Sequence, residues 1–151
     1  LALGYLVVPE SWRARFEEAA RIGSNGSPQL TQAIVADFMR EGHFSRHLKK
    51  MRLLYARRRS MLATALLKAF GHAVRIDLKS GGMHLIARFD GHGHGDAELA
   101  RRAQQAGLNC QPLSGRRIAA NGDEGLLMGF TNIASAIEAN RLAARLRAAF
   151  D

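Results

Sequence analysis

Cysteine is nearly missing from this chain of 151 residues: Cys110 is the only one. An internal disulfide is therefore excluded, and the usage suits a cytoplasmic protein. Cys110 lies in the alternation Leu108-Asn109-Cys110-Gln111 with no histidine or helix start beside it, so it reads as a small buried hydrophobe before a reactive thiol. Long apolar runs are missing too. No stretch approaches the roughly 20 residues that span a bilayer, and no basic start, apolar run and small-residue cleavage site form a secretory signal. A soluble chain without a membrane partner is expected. Acidic side chains are scarce, 13 against 22 Lys and Arg for a net charge of +9. Polyanions become candidate partners, although basic surfaces also serve solubility and anionic ligands. Neither a Ser/His/Asp order, nor paired carboxylates, nor a phosphate loop occurs, so no reaction can be built from this chain and no catalytic residue is assigned.

What is present is 47% hydrophobic content, enough for one domain with a core, with at most an appendage. The run Leu3-Gly4-Tyr5-Leu6-Val7-Val8-Pro9 reads as a strand already under way, so Leu1 looks like a cut. Ser11 is expected to cap a short helix to about Arg21, with Trp12 and Phe16 on one side. Ser27 before Pro28 signals a second helix, with Leu30, Ala33, Ile34 and Phe38 as its apolar stripe and Gly42 as its stop. From about Phe44 to Phe70, apolar residues recur at steps of three and four, which predicts one helix of about 40 Å at 1.5 Å per residue. A helix of that length outruns one small domain and is expected to bridge two bodies, with Arg57-Arg58-Arg59 as its exposed or bent part.

From Ala73 the period changes to two. Val74, Ile76 and Leu78 alternate with polar residues, Ser80-Gly81-Gly82 turns, and residues 83–89 form a second strand. Asp96 is expected to cap a helix to Ala106, with Gly107 as its C-terminal cap; strands follow at residues 108–111 and 126–130, then a helix over residues 133–149 burying Ile133, Ile137, Leu142, Leu146 and Phe150. The predicted architecture is α/β: a remnant of a larger domain over 1–43, a bridging helix over 44–72, and a small β-β-α-β-β-α domain over 73–151.

Several constellations invite a chemical reading. His92 and His94 sit in a Gly-rich loop, and alternating glycines deny the rigid frame a metal needs. His43 and His47 are four apart but enclose Phe44-Ser45-Arg46, with no glutamate to act as a base. No metal site is expected from either pair. His84, in the strand after Gly81-Gly82, faces either the core or a cleft. The run Lys49, Lys50, Arg52, Arg57, Arg58, Arg59 is a solvated helix face or a surface for DNA phosphates or an acidic domain, without interleaved aromatics to stack bases. Arg116 and Arg117 occupy a loop between strands, where paired guanidinium groups suit carboxylates or phosphates.

Segments in matching order resemble the C-terminal half of the aminotransferase-like domain of MocR regulators, a branch of the GntR family. They are Leu3-Gly4-Tyr5-Leu6-Val7-Val8-Pro9; Gln32 through Phe38 with Gly42-His43-Phe44; Arg46-His47-Leu48 with Met51-Arg52, Tyr55 and Arg58-Arg59; Gly81-Gly82-Met83-His84-Leu85; and Pro112-Leu113-Ser114 before Gly125-Leu126-Leu127-Met128-Gly129-Phe130. The block from Gly42 to Arg59 is the most specific, because plain class I aminotransferases look less like it there. The resemblance implies the C-terminal part of a pyridoxal-phosphate-dependent fold type I aminotransferase. It also implies a homodimer, a small-molecule effector, and DNA binding by an N-terminal winged helix-turn-helix that is not in this chain. The lysine that holds pyridoxal phosphate would stand upstream of Leu1, and Lys49, Lys50, Lys68 and Lys79 do not occupy its motif, so this segment is not expected to bind the cofactor alone.

Two positions depart from the family pattern. Where an arginine usually helps hold the cofactor phosphate, this sequence has Ala2; where one clamps a substrate carboxylate, it has Leu127. Losing one charge-assisted contact lowers affinity by about one to two orders of magnitude. The resemblance therefore implies a transcriptional regulator sensing a ligand other than a simple α-amino acid, with His84, Arg116 and Arg117 as effector-binding candidates. The alternatives are a fragment of a class I/II aminotransferase acting on amino acids, weakened by Leu127, and a purely structural or dimer-contact module.

Overall fold

The computed structural model describes residues 3–23, 28–78, 81–91, 93–116 and 123–151. Its helices are α1 (Arg13–Gly23), α2 (Gln29–Arg40), α3 (His43–Phe70), α4 (Asp96–Gln105) and α5 (Ala136–Phe150); its strands are β1 (Val74–Asp77), β2 (His84–Phe89), β3 (Gln111–Pro112) and β4 (Leu126–Gly129). The chain divides into two compact units, Leu1–Lys50 and Met51–Asp151, and the boundary falls inside α3.

In the first unit the expected opening strand does not form. Residues 3–9 pair with nothing in the described sheet, and Tyr5 and Val7 are each 89% exposed. A strand exists only through the ladder bonds of a neighbour, and among the described residues none pairs with this segment. Ser11 does not cap. The chain enters a 3-10 turn, Glu10–Trp12, behind Pro9, with no side-chain bond to the free amides. Pro28 stands just before α2, not inside it. Leu30, Ile34 and Phe38 do share one side of α2, but all three are exposed. Around Gly42, which takes the positive φ of a helix stop, the His43 ring stacks on Phe38 at 5.5 Å, and it bonds Glu41 at 3.0 Å and Arg46 at 2.9 Å.

The second unit realises the order β-β-α-β-β-α. Its sheet runs β1-β2-β4-β3, all pairs antiparallel. Alternation along the strands separates two faces. Leu85 and Ala87 of β2 and Leu126 and Met128 of β4 are buried, together with the inner faces of α3, α4 and α5. Leu62, Leu66, Phe70, Leu99, Ala103, Ala139, Ala143, Leu146 and Phe150 complete this core. Each fully buried Leu or Phe contributes about 1.5–3 kcal/mol over its exposed state. Aromatic contacts clasp the ends of three elements: Phe89 meets Phe70 at 4.8 Å and Phe150 at 5.0 Å, both edge-on.

Several boundaries differ from expectation. β3 is two residues long and begins at Gln111, because only Gln111 and Pro112 find partners on β4. The last helix begins at Ala136, behind Ser135. Ile133 is buried ahead of the helix, and Ile137 is 82% exposed. Arg57-Arg58-Arg59 lies within an unbroken α3. Arg58 and Arg59 are half-buried, and Arg58 donates to the Thr131 carbonyl, so the guanidinium ties the helix to the segment after β4 instead of standing free in water.

Asp96 is the main correction. Gly95 occupies the cap of α4, whereas the Asp96 side chain turns away from the helix start and is 3% exposed. Its carboxylate accepts the Ser114 backbone N–H at 2.8 Å, the Gly125 N–H at 3.1 Å and the Ser114 hydroxyl. Buried ions persist when charge-assisted bonds replace water. The far end of α4 follows the expected glycine stop. Gly107, at φ +73°, donates to Gln104 at 2.9 Å, and Leu108 donates to Ala103 at 2.8 Å, the paired closure of a Schellman motif.

Candidate functional site

The sheet face away from the core carries the candidate site. Antiparallel register sets His84 opposite Gly129 and Ile86 opposite Leu127, and β3 adds Gln111 opposite Leu127. Residues at alternate positions share a face, so His84, Leu127, Gly129 and Gln111 come together. With Asn109, Thr131 and Asn132 they line a cleft of about 280 Å³. Arg116 ends a 3-10 turn, Ser114–Arg116, and its guanidinium donates to the Gln111 side-chain oxygen. At Thr131 the carbonyl accepts from Arg58.

His84 is exposed on this cleft and not in the core. Arg116 stands at its rim through Gln111, and half-buried Leu127 lies between. Arg117 and Ala2 lie outside the described residues, as do His92 and Lys79. Asn109, Gln111, Thr131 and Asn132 carried no sequence signal of charge. The alternation at residues 108–111 did contain one clue, since it sets Asn109 and Gln111 on the side opposite Leu108 and Cys110.

Two other clefts have different chemistry. One of about 510 Å³ is lined by charged groups including Arg75, Asp77, Arg88, Asp90 and Asp123. They neutralise one another: Arg75 meets Asp90 at 2.8 Å, and Arg88 meets Asp77 at 2.5 Å and Asp123 at 3.0 Å. The hydrogen bond from Arg75 holds the Asp90 carboxyl below its ordinary range. His94 contacts the Arg102 guanidinium at 2.9 Å. The other, about 190 Å³, is a largely apolar space among Leu62, Leu66, Cys110, Met128 and Leu142. Burial pushes the Cys110 thiol up to about 11, which keeps it protonated and unreactive near neutral pH.

The described residues do not by themselves fit pyridoxal phosphate. Attachment needs an amine and the phosphate needs a cradle of donors, yet none of these three clefts is lined by a lysine, and Lys49, Lys50 and Lys68 are exposed on α3. Among the described residues no three His, Cys, Asp or Glu side chains group to hold a metal, and no helix is long and apolar enough to cross a membrane.

Solved structures that share this fold include two aminotransferases of the pyridoxal-phosphate fold type I. A kynurenine aminotransferase of Pyrococcus horikoshii, determined with PMP, matches 93% of this chain and 34% of its own with a TM-score of 0.81 at 17% identity. The α-aminoadipate aminotransferase LysN of Thermus thermophilus, complexed with N-(5'-phosphopyridoxyl)-L-leucine, matches 95% of this chain and 36% of its own with a TM-score of 0.79 at 21% identity. In sequence, the chain is homologous to MocR and other helix-turn-helix regulators. The probable rhizopine catabolism regulatory protein MocR of Rhizobium meliloti is 33% identical over 88% of this chain. The HTH-type regulators YdeL and YhdI of Bacillus subtilis are each 24% identical, over 76% and 86%. The chain spans about a quarter of the length of these relatives: 27%, 24% and 28%. No family profile matches it. The chain thus shares its fold with these aminotransferases and its sequence similarity with these helix-turn-helix regulators.

Proposed function

We propose that this chain is the effector-sensing part of a cytoplasmic, homodimeric MocR-type transcriptional regulator. Residues 1–43 would belong to the large domain of its aminotransferase-like part, 44–72 to the joining helix, and 73–151 to the small domain. In that protein a winged helix-turn-helix would bind DNA, and pyridoxal phosphate would be held by residues outside this chain. Effector binding would then bias the dimer between geometries that differ in DNA affinity. Such a shift needs an effector that binds the two geometries unequally, and a wall facing the ligand is where inequality can arise.

The carrying observation is the 33% identity to the rhizopine catabolism regulatory protein over 88% of the chain. Leu127 in the cleft beside His84 supports a regulator over a transaminase, because no guanidinium stands at that position to clamp an α-carboxylate. The test uses the full-length protein. Cofactor binding is read from its absorbance, and affinity for operator DNA is measured across a panel of small molecules. An effector that changes DNA affinity by about tenfold, a coupling of about 1.4 kcal/mol, is expected. Rapid amino-acid turnover with DNA affinity unmoved by every compound would replace this reading with that of an aminotransferase.

A further inference from the structure

Resting on the proposed sensing role, the lining of the small-domain cleft indicates what kind of group the effector presents there. Of its lining residues, His84, Asn109, Gln111, Leu127, Gly129, Thr131 and Asn132, none is Asp, Glu, Lys or Arg. The side chains of His84, Asn109 and Asn132 have no hydrogen-bond partner among the described residues. Gln111 has its oxygen engaged by Arg116, and its amide N–H groups remain unpaired among the described residues. Four side chains with spare hydrogen-bonding capacity thus converge on one small space. At about 280 Å³ it lies just below the ~300 Å³ at which whole small-molecule sites begin, so it accommodates one end of a ligand.

We propose that this cleft recognises an uncharged hydroxyl- or amide-bearing group through His84, Asn109, Gln111 and Asn132, at the place where an arginine at 127 would hold a carboxylate. The argument is one of donors and acceptors. A side-chain amide offers an N–H pair and a carbonyl, and a hydroxyl or amide answers both, donating to one and accepting from the other. A carboxylate only accepts. It could take the amide N–H groups but would leave their oxygens without a donor, and it would leave water with no opposite charge among the lining residues, Arg116 at the rim being bonded to the Gln111 oxygen. Leu127 adds an apolar floor suited to the carbon frame of such a ligand.

The experiment compares uncharged probes with carboxylates of similar size. Propionamide and erythritol are compared with propionate and succinate for binding to the full-length protein, by saturation-transfer NMR and competition. The neutral probes are expected to bind about tenfold more tightly than the carboxylates, the equivalent of one hydrogen bond of about 1.4 kcal/mol. Asn132→Ala, at an exposed position that leaves the core untouched, should weaken propionamide several-fold. Leu127→Arg should invert the preference, with circular dichroism confirming that each variant is folded. Propionate binding as tightly as propionamide to the unaltered protein overturns the proposal, and so does failure of every probe to bind. Neither result touches the sensing role itself, which fails only if the same preparation shows no effector-dependent change in DNA affinity.

Discussion

At the scale of single residues, Asp96 decides more than its position at the start of a helix suggests. Its carboxylate satisfies two backbone N–H groups, of Ser114 and Gly125, that belong to segments far apart in sequence. Gly125 has to be small there, since a Cβ would approach the Ala87 carbonyl oxygen to 3.1 Å. Asp96→Ala leaves those donors unpaired, and because each buried unsatisfied group costs about 1–3 kcal/mol, urea denaturation should show a loss of about 2–4 kcal/mol. A loss below about 0.5 kcal/mol, the range of ordinary surface substitutions, would mean that water replaces the carboxylate without penalty. Glu98, two residues further in the first turn of α4, behaves differently. The hydrogen bond from Arg101, and then that from Arg102, lower its carboxyl from 4.5 to about 2. A folded-state pKa below the unfolded one gives stability that is present above pH about 4.5 and fades as the pH falls toward about 2. The stability difference between the unaltered chain and Glu98→Gln should therefore shrink across that interval. Its exposure also means that added salt should reduce the difference at every pH.

At the scale of elements, α5 shows how a start signal outranks spacing. Ser135 accepts the Glu138 N–H at 3.2 Å, while the Glu138 carboxylate accepts the Ala134 N–H at 2.8 Å, a reciprocal cap shifted by one residue from the usual box. Ser135→Ala should destabilise the second unit by about 1 kcal/mol, whereas Ile137→Ser, on the exposed side, should stay within about 0.5 kcal/mol. If thermal melts ranked the two in the opposite order, the assigned helix start would be wrong. The sequence had made Ile137 a core residue because it stands four after Ile133, but that spacing binds two residues to one face only when both are helical, and Ile133 is not. The change of period at residue 73 was legible because alternation is local, and the β-β-α-β-β-α order followed from it. The extent of β3 was not legible, since a strand is fixed by its partner. His84 in the cleft and Arg116 at its rim could be picked out by their chemistry. Asn109, Thr131 and Asn132 are neutral, and only register and loop path bring them beside His84.

At the scale of the whole molecule, stability is concentrated in one of the two units. Among the described residues every buried side chain lies between Leu62 and Phe150, and those of Leu1–Lys50 bury none. Trp12, Phe16, Leu30, Ile34 and Phe38 present apolar surface there, and helices as short as α1 and α2 gain little from propensity alone. The second unit, by contrast, holds a closed core, a four-stranded sheet and its own caps. A polypeptide of residues 51–151 should therefore fold by itself. It keeps the edge contact of Tyr55 with Phe130 at 6.3 Å and the bond from Arg58 to Thr131, so its cooperative melting temperature should lie within about 5 °C of the main transition of the 151-residue chain, a difference of about 1 kcal/mol for a domain of this size. The longer chain should show additional helix by far-ultraviolet circular dichroism that melts gradually and earlier, because residues 1–50 have no core to make their unfolding cooperative. Scanning calorimetry of both polypeptides separates the possibilities. A single sharp transition of the 151-residue chain, lost in 51–151, would show that the first fifty residues carry stability that their exposed side chains do not reveal.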